Sequence, residues 1–124
     1  MRFMMMVMGN DDYQAGKPPS PALMAAIDKL AAEGRASGKL LSAEGLAPSQ
    51  TRIKLVNGKR QVIDGPFAET KELIGGIAII EAASKDEALA HAQRFVDAHA
   101  EAGIENFEMV IRPMYGGPDS PDQC

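Results

Sequence analysis

Asp64-Gly65-Pro66-Phe67-Ala68-Glu69-Thr70-Lys71-Glu72 is the stretch from which the fold of this chain is read. Proline cannot donate to a strand ladder and glycine turns the chain easily, so Gly65-Pro66 ends a strand at Asp64 and residues 67–72 form a charged loop. Upstream, Thr51-Arg52-Ile53-Lys54-Leu55-Val56 puts Ile53 and Leu55 on one face and Arg52 and Lys54 on the other. Asn57-Gly58 follows, the strongest short-range hairpin signal, and Lys59–Ile63 is the return strand. Downstream, Gly75-Gly76-Ile77-Ala78-Ile79-Ile80 reads as the next strand, its glycine pair marking a bend or a close backbone approach.

The pattern extends in both directions. Residues 3–8, Phe-Met-Met-Met-Val-Met, form a short apolar strand, and Gly9 to Pro19 a polar loop. Ser20-Pro21 is a helix start, with serine as N-cap and proline in the first turn, where its missing N–H costs nothing. Leu23, Met24, Ile27, Leu30 and Ala31 recur at spacings of three and four, so the helix is amphipathic, and its end is expected near Gly34. A second strand covers about Lys39–Leu46 until Ala47-Pro48-Ser49 breaks it. Ser84-Lys85-Asp86-Glu87 is a capping box. It opens a helix with Ala88, Ala92, Phe95, Val96 and His99 along one side, ending near Gly103. Phe107–Arg112 is the last strand, and residues 116–124 have the composition of a disordered tail. With the hairpin set aside, the order is β-α-β-β-α-β, the ferredoxin-like arrangement, an α+β domain with two helices on one face of an antiparallel sheet.

Two helices cover one face of such a sheet. Yet Phe3, Met5 and Val7 alternate with Met4, Met6 and Met8, and Ile77 and Ile79 alternate with Ala78 and Ile80, so both faces are apolar. A second apolar face is buried most economically against a second copy of the chain, sheet to sheet about a two-fold axis. A homodimer is therefore expected, the alternative being a far face that lines a pocket within the monomer.

A length of 124 residues fits one domain, with 45% apolar and 24% charged residues. It buries enough surface to need neither disulfide nor metal. The formal charge of -4 with 13 Lys plus Arg gives no global pull on a phosphate backbone, so nucleic-acid binding is disfavoured. Cys124 is the single cysteine and cannot close an intramolecular disulfide. The apolar run at the start is far short of a signal core or a membrane span, so no membrane partner is expected and the cytoplasm is the expected location.

No glycine-rich phosphate loop, zinc-binding His-Glu-x-x-His or nucleophile elbow is present, and no cofactor or metal is expected. His91 and His99 are eight residues apart on one helix, more than two turns, and do not meet at one ion. His91 falls off the apolar stripe and is expected in solvent; His99, near the end of the stripe, is expected as a helix C-terminal or interface residue rather than a catalytic base. Asp64, at a strand end, is the candidate catalytic carboxylate, with a turn-holding role as the structural alternative. Glu44 is a second candidate carboxylate. Arg52 and Arg112 are candidate anion contacts, or ordinary edge-strand charges. Glu69 and Lys71 are candidate loop contacts or solvated charges, and Phe67 is a stacking platform or a plug at the sheet edge.

The run Asp64–Glu72 resembles the signature of the DGPF or YCII-related domain family. So do Arg2-Phe3-Met4 with Gly9, Ala43-Glu44-Gly45-Leu46, Gly75-Gly76 before an apolar strand, Asp86-Glu87-Ala88, and Glu108-Met109-Val110-Ile111-Arg112-Pro113. The resemblance covers residues 1–115 and implies a dimeric α+β barrel of ferredoxin-like subunits. Related domains have been proposed as enzymes because a His–Asp pair lies in a cleft, and some accompany extracytoplasmic-function sigma factors. Asp64 matches that aspartate, but no histidine lies near the first strand or first helix. Two functions stand side by side: a protein that binds or transforms a small polar or anionic molecule in a cleft near Asp64, and a non-catalytic dimeric regulatory or protein-interaction module.

Overall fold

Successive side chains of a strand point to opposite faces, and in β1 (Arg2–Met8) this sorts a buried Phe3 and Met5 from a half-buried Met4 and Met6. The structure is a computed structural model that describes residues 1–9, 18–65 and 73–116. Around β1 it assembles α1 (Pro21–Ala36), β2 (Leu40–Gly45), β3 (Thr51–Val56), β4 (Lys59–Asp64), β5 (Ile74–Glu81), α2 (Lys85–Glu101) and β6 (Met109–Pro113). The four-stranded sheet has the order β2-β5-β1-β6, with every neighbour antiparallel. This mixed α+β architecture is compatible with the ferredoxin-like fold. The hairpin β3-β4 forms a separate two-stranded sheet. Asn57 (φ 51°) and Gly58 (φ 78°) both take the left-handed conformation that a tight hairpin turn with the right twist requires.

The helix starts follow their sequence signals. Ser20 Oγ accepts a hydrogen bond from the Leu23 N–H at 3.2 Å. Ser84 Oγ accepts from the Glu87 N–H at 3.1 Å. The carboxylate of Glu87 reaches back to the Ala83 N–H at 2.6 Å, one residue earlier than the usual reciprocal bond of a capping box. The helix ends differ in detail. α1 runs past Gly34 to Ala36, and the left-handed glycine after it is Gly38 (φ 77°). Gly34 serves packing instead: a Cβ there would lie 2.8 Å from Leu40 Cβ, so its absence lets α1 press against the start of β2. β6 begins at Met109 rather than Phe107, and the Phe107 ring is stacked on His99 at the end of α2, with centroids 3.8 Å apart.

The core occupies the helix side of the sheet. Phe3, Met5, Ile80, Ala82, Ala88 and Ala92 are buried together, with Leu40, Ala78, Met109 and Ile111 packed against them. Strand register places Met4 opposite Ile79, and Met6 opposite Ile77 and Val110, on the other face. These five side chains are half-buried and lie outside the buried core cluster. The apolar second face read from the alternation is therefore present. Gly76 bears out the expected close approach: a Cβ there would lie 3.3 Å from the Glu44 carbonyl. Among the described residues no helix is long and apolar enough to cross a membrane.

Candidate functional site

Leu23 is the one buried residue among the described residues of α1, although the apolar stripe of that helix also holds Met24, Ile27, Leu30 and Ala31. Those four line a cavity of about 760 Å³ between α1 and the sheet, a volume within the usual range for small-molecule sites. The floor is the helix-side face of the sheet: Met5, Val7, Leu40, Ala78, Ile80 and Met109. Phe95 of α2 closes a wall, and the lining is mainly apolar.

The two ends of the cavity differ. At the start of β2, ion pairs join the elements: Lys39 Nζ to Glu87 Oε1 at 2.6 Å, and Arg94 Nη2 to Glu33 Oε2 at 2.6 Å. His91 Nε2 lies 3.8 Å from Glu87 Oε1. Lys39, His91, Arg94, Glu33 and Arg35 all line this end. At the other end of β2, Gly45 and Gly76 face each other in register, beside Gly75. Three residues without side chains leave space there; Glu44, next to Gly45, is one of the cavity's carboxylates, with Asp28 and Glu33 of α1 also in the lining.

Glu87 is the described group whose acidity is most altered. The Lys39 ammonium hydrogen-bonded to it, the Ala83 N–H and the nearby charges of Lys39 and His91 lower its pKa from 4.5 to about 2, against a smaller opposing effect of desolvation. A carboxyl with a folded pKa below its unfolded one adds stability above the unfolded value and loses it on acidification. The expected result is a loss of melting temperature between about pH 4.5 and about pH 2 that Glu87→Gln lacks. Parallel thermal melts of both proteins over that range check it; equal pH slopes would refute it.

The candidate residues are dispersed. Glu44 lines the cavity, whereas Asp64, Arg52 and Arg112 are absent from its lining. Asp64 sits at the base of the hairpin, exposed, opposite Thr51 in register. Its Oδ1 accepts a hydrogen bond from Thr51 Oγ1 at 2.8 Å, and the following Gly65 N–H donates to Gln50 O at 2.7 Å. Arg52 is half-buried opposite Ile63, and Arg112 is exposed opposite Met4. Phe67, Glu69 and Lys71 lie outside the described residues. His99 is buried at the end of α2, where Nδ1 is 2.9 Å from the Phe95 carbonyl; a carbonyl only accepts, so Nδ1 carries the proton. His91 departs from the expected solvent position. It is half-buried one residue before the core alanine Ala92, at the cavity edge.

The cavity escaped the sequence reading because its α1 lining has the same spacing as a packed stripe. The available signal was the glycines: Gly45, Gly75 and Gly76 remove side chains where strand neighbours would otherwise fill the space.

A curated, uncharacterised protein of Rhizobium meliloti (strain 1021) is 41% identical over 80 residues, which cover 63% of this chain and 61% of that protein, less than two thirds of its length. The sequence model of the YCII-related domain matches residues 1–111. With that match across nearly the whole chain, and the strand order of the sheet, the protein belongs to the YCII-related domain family.

Proposed function

We propose that this protein is a cytoplasmic homodimer, closed sheet to sheet as an α+β barrel, that binds a small, largely apolar molecule in the helix–sheet cavity of each subunit. The carrying observation is the cavity itself: about 760 Å³ with a mainly apolar lining, beside a small core of Phe3, Met5, Ile80 and three alanines. Its charged end holds both signs, Glu33 with Arg94 and Lys39 with Glu87, so the groups there largely satisfy one another and the apolar walls dominate recognition. Glu44, at the glycine end, is the group this reading assigns to a polar substituent of the ligand. The site thereby moves from the expected cleft near Asp64, and Asp64 acts as the hairpin-base lock that its bond to Thr51 suits. The apolar sheet face of Met4, Met6, Ile77, Ile79 and Val110 supports the dimer.

The test is binding of the fluorescent probe 8-anilinonaphthalene-1-sulfonate, an apolar ring system with one charge. Wild type is expected to enhance its emission with one saturable site per subunit. Ala31→Phe places a ring in the cavity from α1 and is expected to weaken that binding by roughly tenfold, about 1.4 kcal/mol, with the circular dichroism unchanged. No saturable binding, or equal binding by a folded Ala31→Phe, would sink the proposal. The second reading, a regulatory module without a ligand, would then stand on the same dimer.

A further inference from the structure

The charges that line the cavity do not cancel evenly along its length. Where α1 gives way to β2, the lining holds Arg35, Lys39 and Arg94 with one carboxylate, Glu33. Glu33 and Arg94 both line the cavity and neutralise each other at 2.6 Å. Lys39 lines it too, but its counter-ion Glu87 is not part of the lining. Arg35 makes no ion pair among the described residues. The remaining carboxylates of the lining stand away from this end. Asp28 lies two turns before Arg35 on α1, about 10 Å along the helix axis, and Glu44 is near the other end of β2. This end of the cavity therefore carries a cationic surplus.

A basic residue in the last turn of a helix ordinarily offsets the negative partial charge of the free carbonyls there. In α1 those carbonyls already have donors. Glu33 O accepts from the Ser37 N–H, Gly34 O from the Lys39 N–H and the Ser37 hydroxyl, and Arg35 O from the Gly38 N–H. The Arg35 guanidinium is thus left for another acceptor. We propose that the ligand of this cavity is an amphipathic organic anion, with an apolar body against the sheet floor and Phe95 and a carboxylate, or another compact oxyanion, held by Arg35 and Lys39. The proposal rests on the cavity reading above and adds the head group to it. Arg35 is exposed and Lys39 half-buried, so the head stays at the wet rim while the apolar body enters, and no bare charge is buried. The planar guanidinium offers paired N–H donors that match a carboxylate. A cationic head would meet the same surplus as repulsion, so the cavity selects by sign as well as by shape.

The experiment compares two probes that differ in the head alone: 8-anilinonaphthalene-1-sulfonate, and N-phenyl-1-naphthylamine, the same ring system without the sulfonate. Both are titrated against the full chain. Wild type is expected to bind each at a saturable site, and added salt to weaken the sulfonate probe relative to the neutral one. Arg35→Gln is expected to weaken the sulfonate probe relative to the neutral one by about fivefold, and Arg35→Glu by about tenfold or more. Lys29→Gln removes the same charge from an α1 residue outside the lining and is expected to leave that ratio unchanged. Decanoate is expected to displace the neutral probe at a concentration about tenfold or more below that of decylammonium, the same chain with the opposite charge. If neither probe binds saturably, the cavity reading fails and the head group with it. If the neutral probe binds but the Arg35 variants leave the ratio where it is, or decylammonium competes as well as decanoate, the anionic head alone is overturned and Arg35 is an ordinary helix-end charge. Should an Arg35 variant misfold, the salt dependence and the decanoate–decylammonium comparison on wild type still decide.

Discussion

Phe3→Ala is expected to lose roughly 3–5 kcal/mol of folding stability, enough to leave a small domain largely unfolded near body temperature. Phe3 is 1% exposed and is the largest fully buried side chain of the described residues. Its buried neighbours are Met5, Ile80 and three alanines, Ala82, Ala88 and Ala92. Alanines cannot reach into a vacated ring site, and they sit on a helix and at a strand end whose backbones are already hydrogen-bonded. The cavity would therefore collapse poorly, which places the cost toward the upper part of that range. Met4→Ala, one residue away on the half-buried face, is the control and is expected to cost clearly less in the isolated subunit. Urea unfolding of the two variants measures the difference. Equal losses would mean that the helices do not define the core side of β1.

The second large effect is expected at Gly34. Gly34→Val is expected to destabilise the fold by about 1–3 kcal/mol through overpacking. A side chain there begins 2.8 Å from Leu40 Cβ, an atom fixed by the backbone of β2 and unable to swing aside. Helix propensity works the other way: replacing a helix glycine by alanine gains up to about 1 kcal/mol where space exists. Gly34→Ala is therefore expected to be less harmful than Gly34→Val. Combining Gly34→Ala with Leu40→Gly, which removes the opposing Cβ, should lessen the cost of the first change, whereas Leu40→Ala retains that atom and should not. Thermal melts of these variants decide it; a Gly34→Val protein as stable as wild type would show that α1 does not press on β2. Both residues also line the cavity, so the destabilised variants should bind the naphthalene probe differently from wild type.

Much of the fold was legible before the structure because local chemistry decides it. Asn57-Gly58 admits the left-handed pair that a tight hairpin needs, and Ser20 and Ser84 supply the N-cap oxygens of two helices. Alternation in β1 announced two apolar faces, and both exist. Element ends were less legible. Gly34 looked like a helix stop and proved to be a contact with Leu40; Phe107 looked like strand and proved to be the stacking partner of His99. In each instance a distant residue set the role, and periodicity carries no information about distant residues.

The site was less legible than the fold. Asp64, Glu44, Arg52 and Arg112 were candidates by residue type and strand position, yet only Glu44 of these lines the cavity. The cavity depends on how far Met24, Ile27, Leu30 and Ala31 stand from Val7, Ala78 and Ile80, a separation that no one segment encodes.

By itself the sequence determined the order of elements, the hairpin turn, the helix starts, the two-faced sheet and the family, because each rests on residues adjacent in the chain or on their period. Tertiary structure alone decided that Asp64 bonds Thr51 at the foot of an outlying hairpin, that Glu87 gathers Lys39 and the Ala83 N–H, and that α1 roofs a cavity instead of filling it. The physical reason is the same throughout: those features are distances between segments, fixed by packing and by glycines such as Gly34 and Gly76 whose missing side chains set how closely two backbones meet.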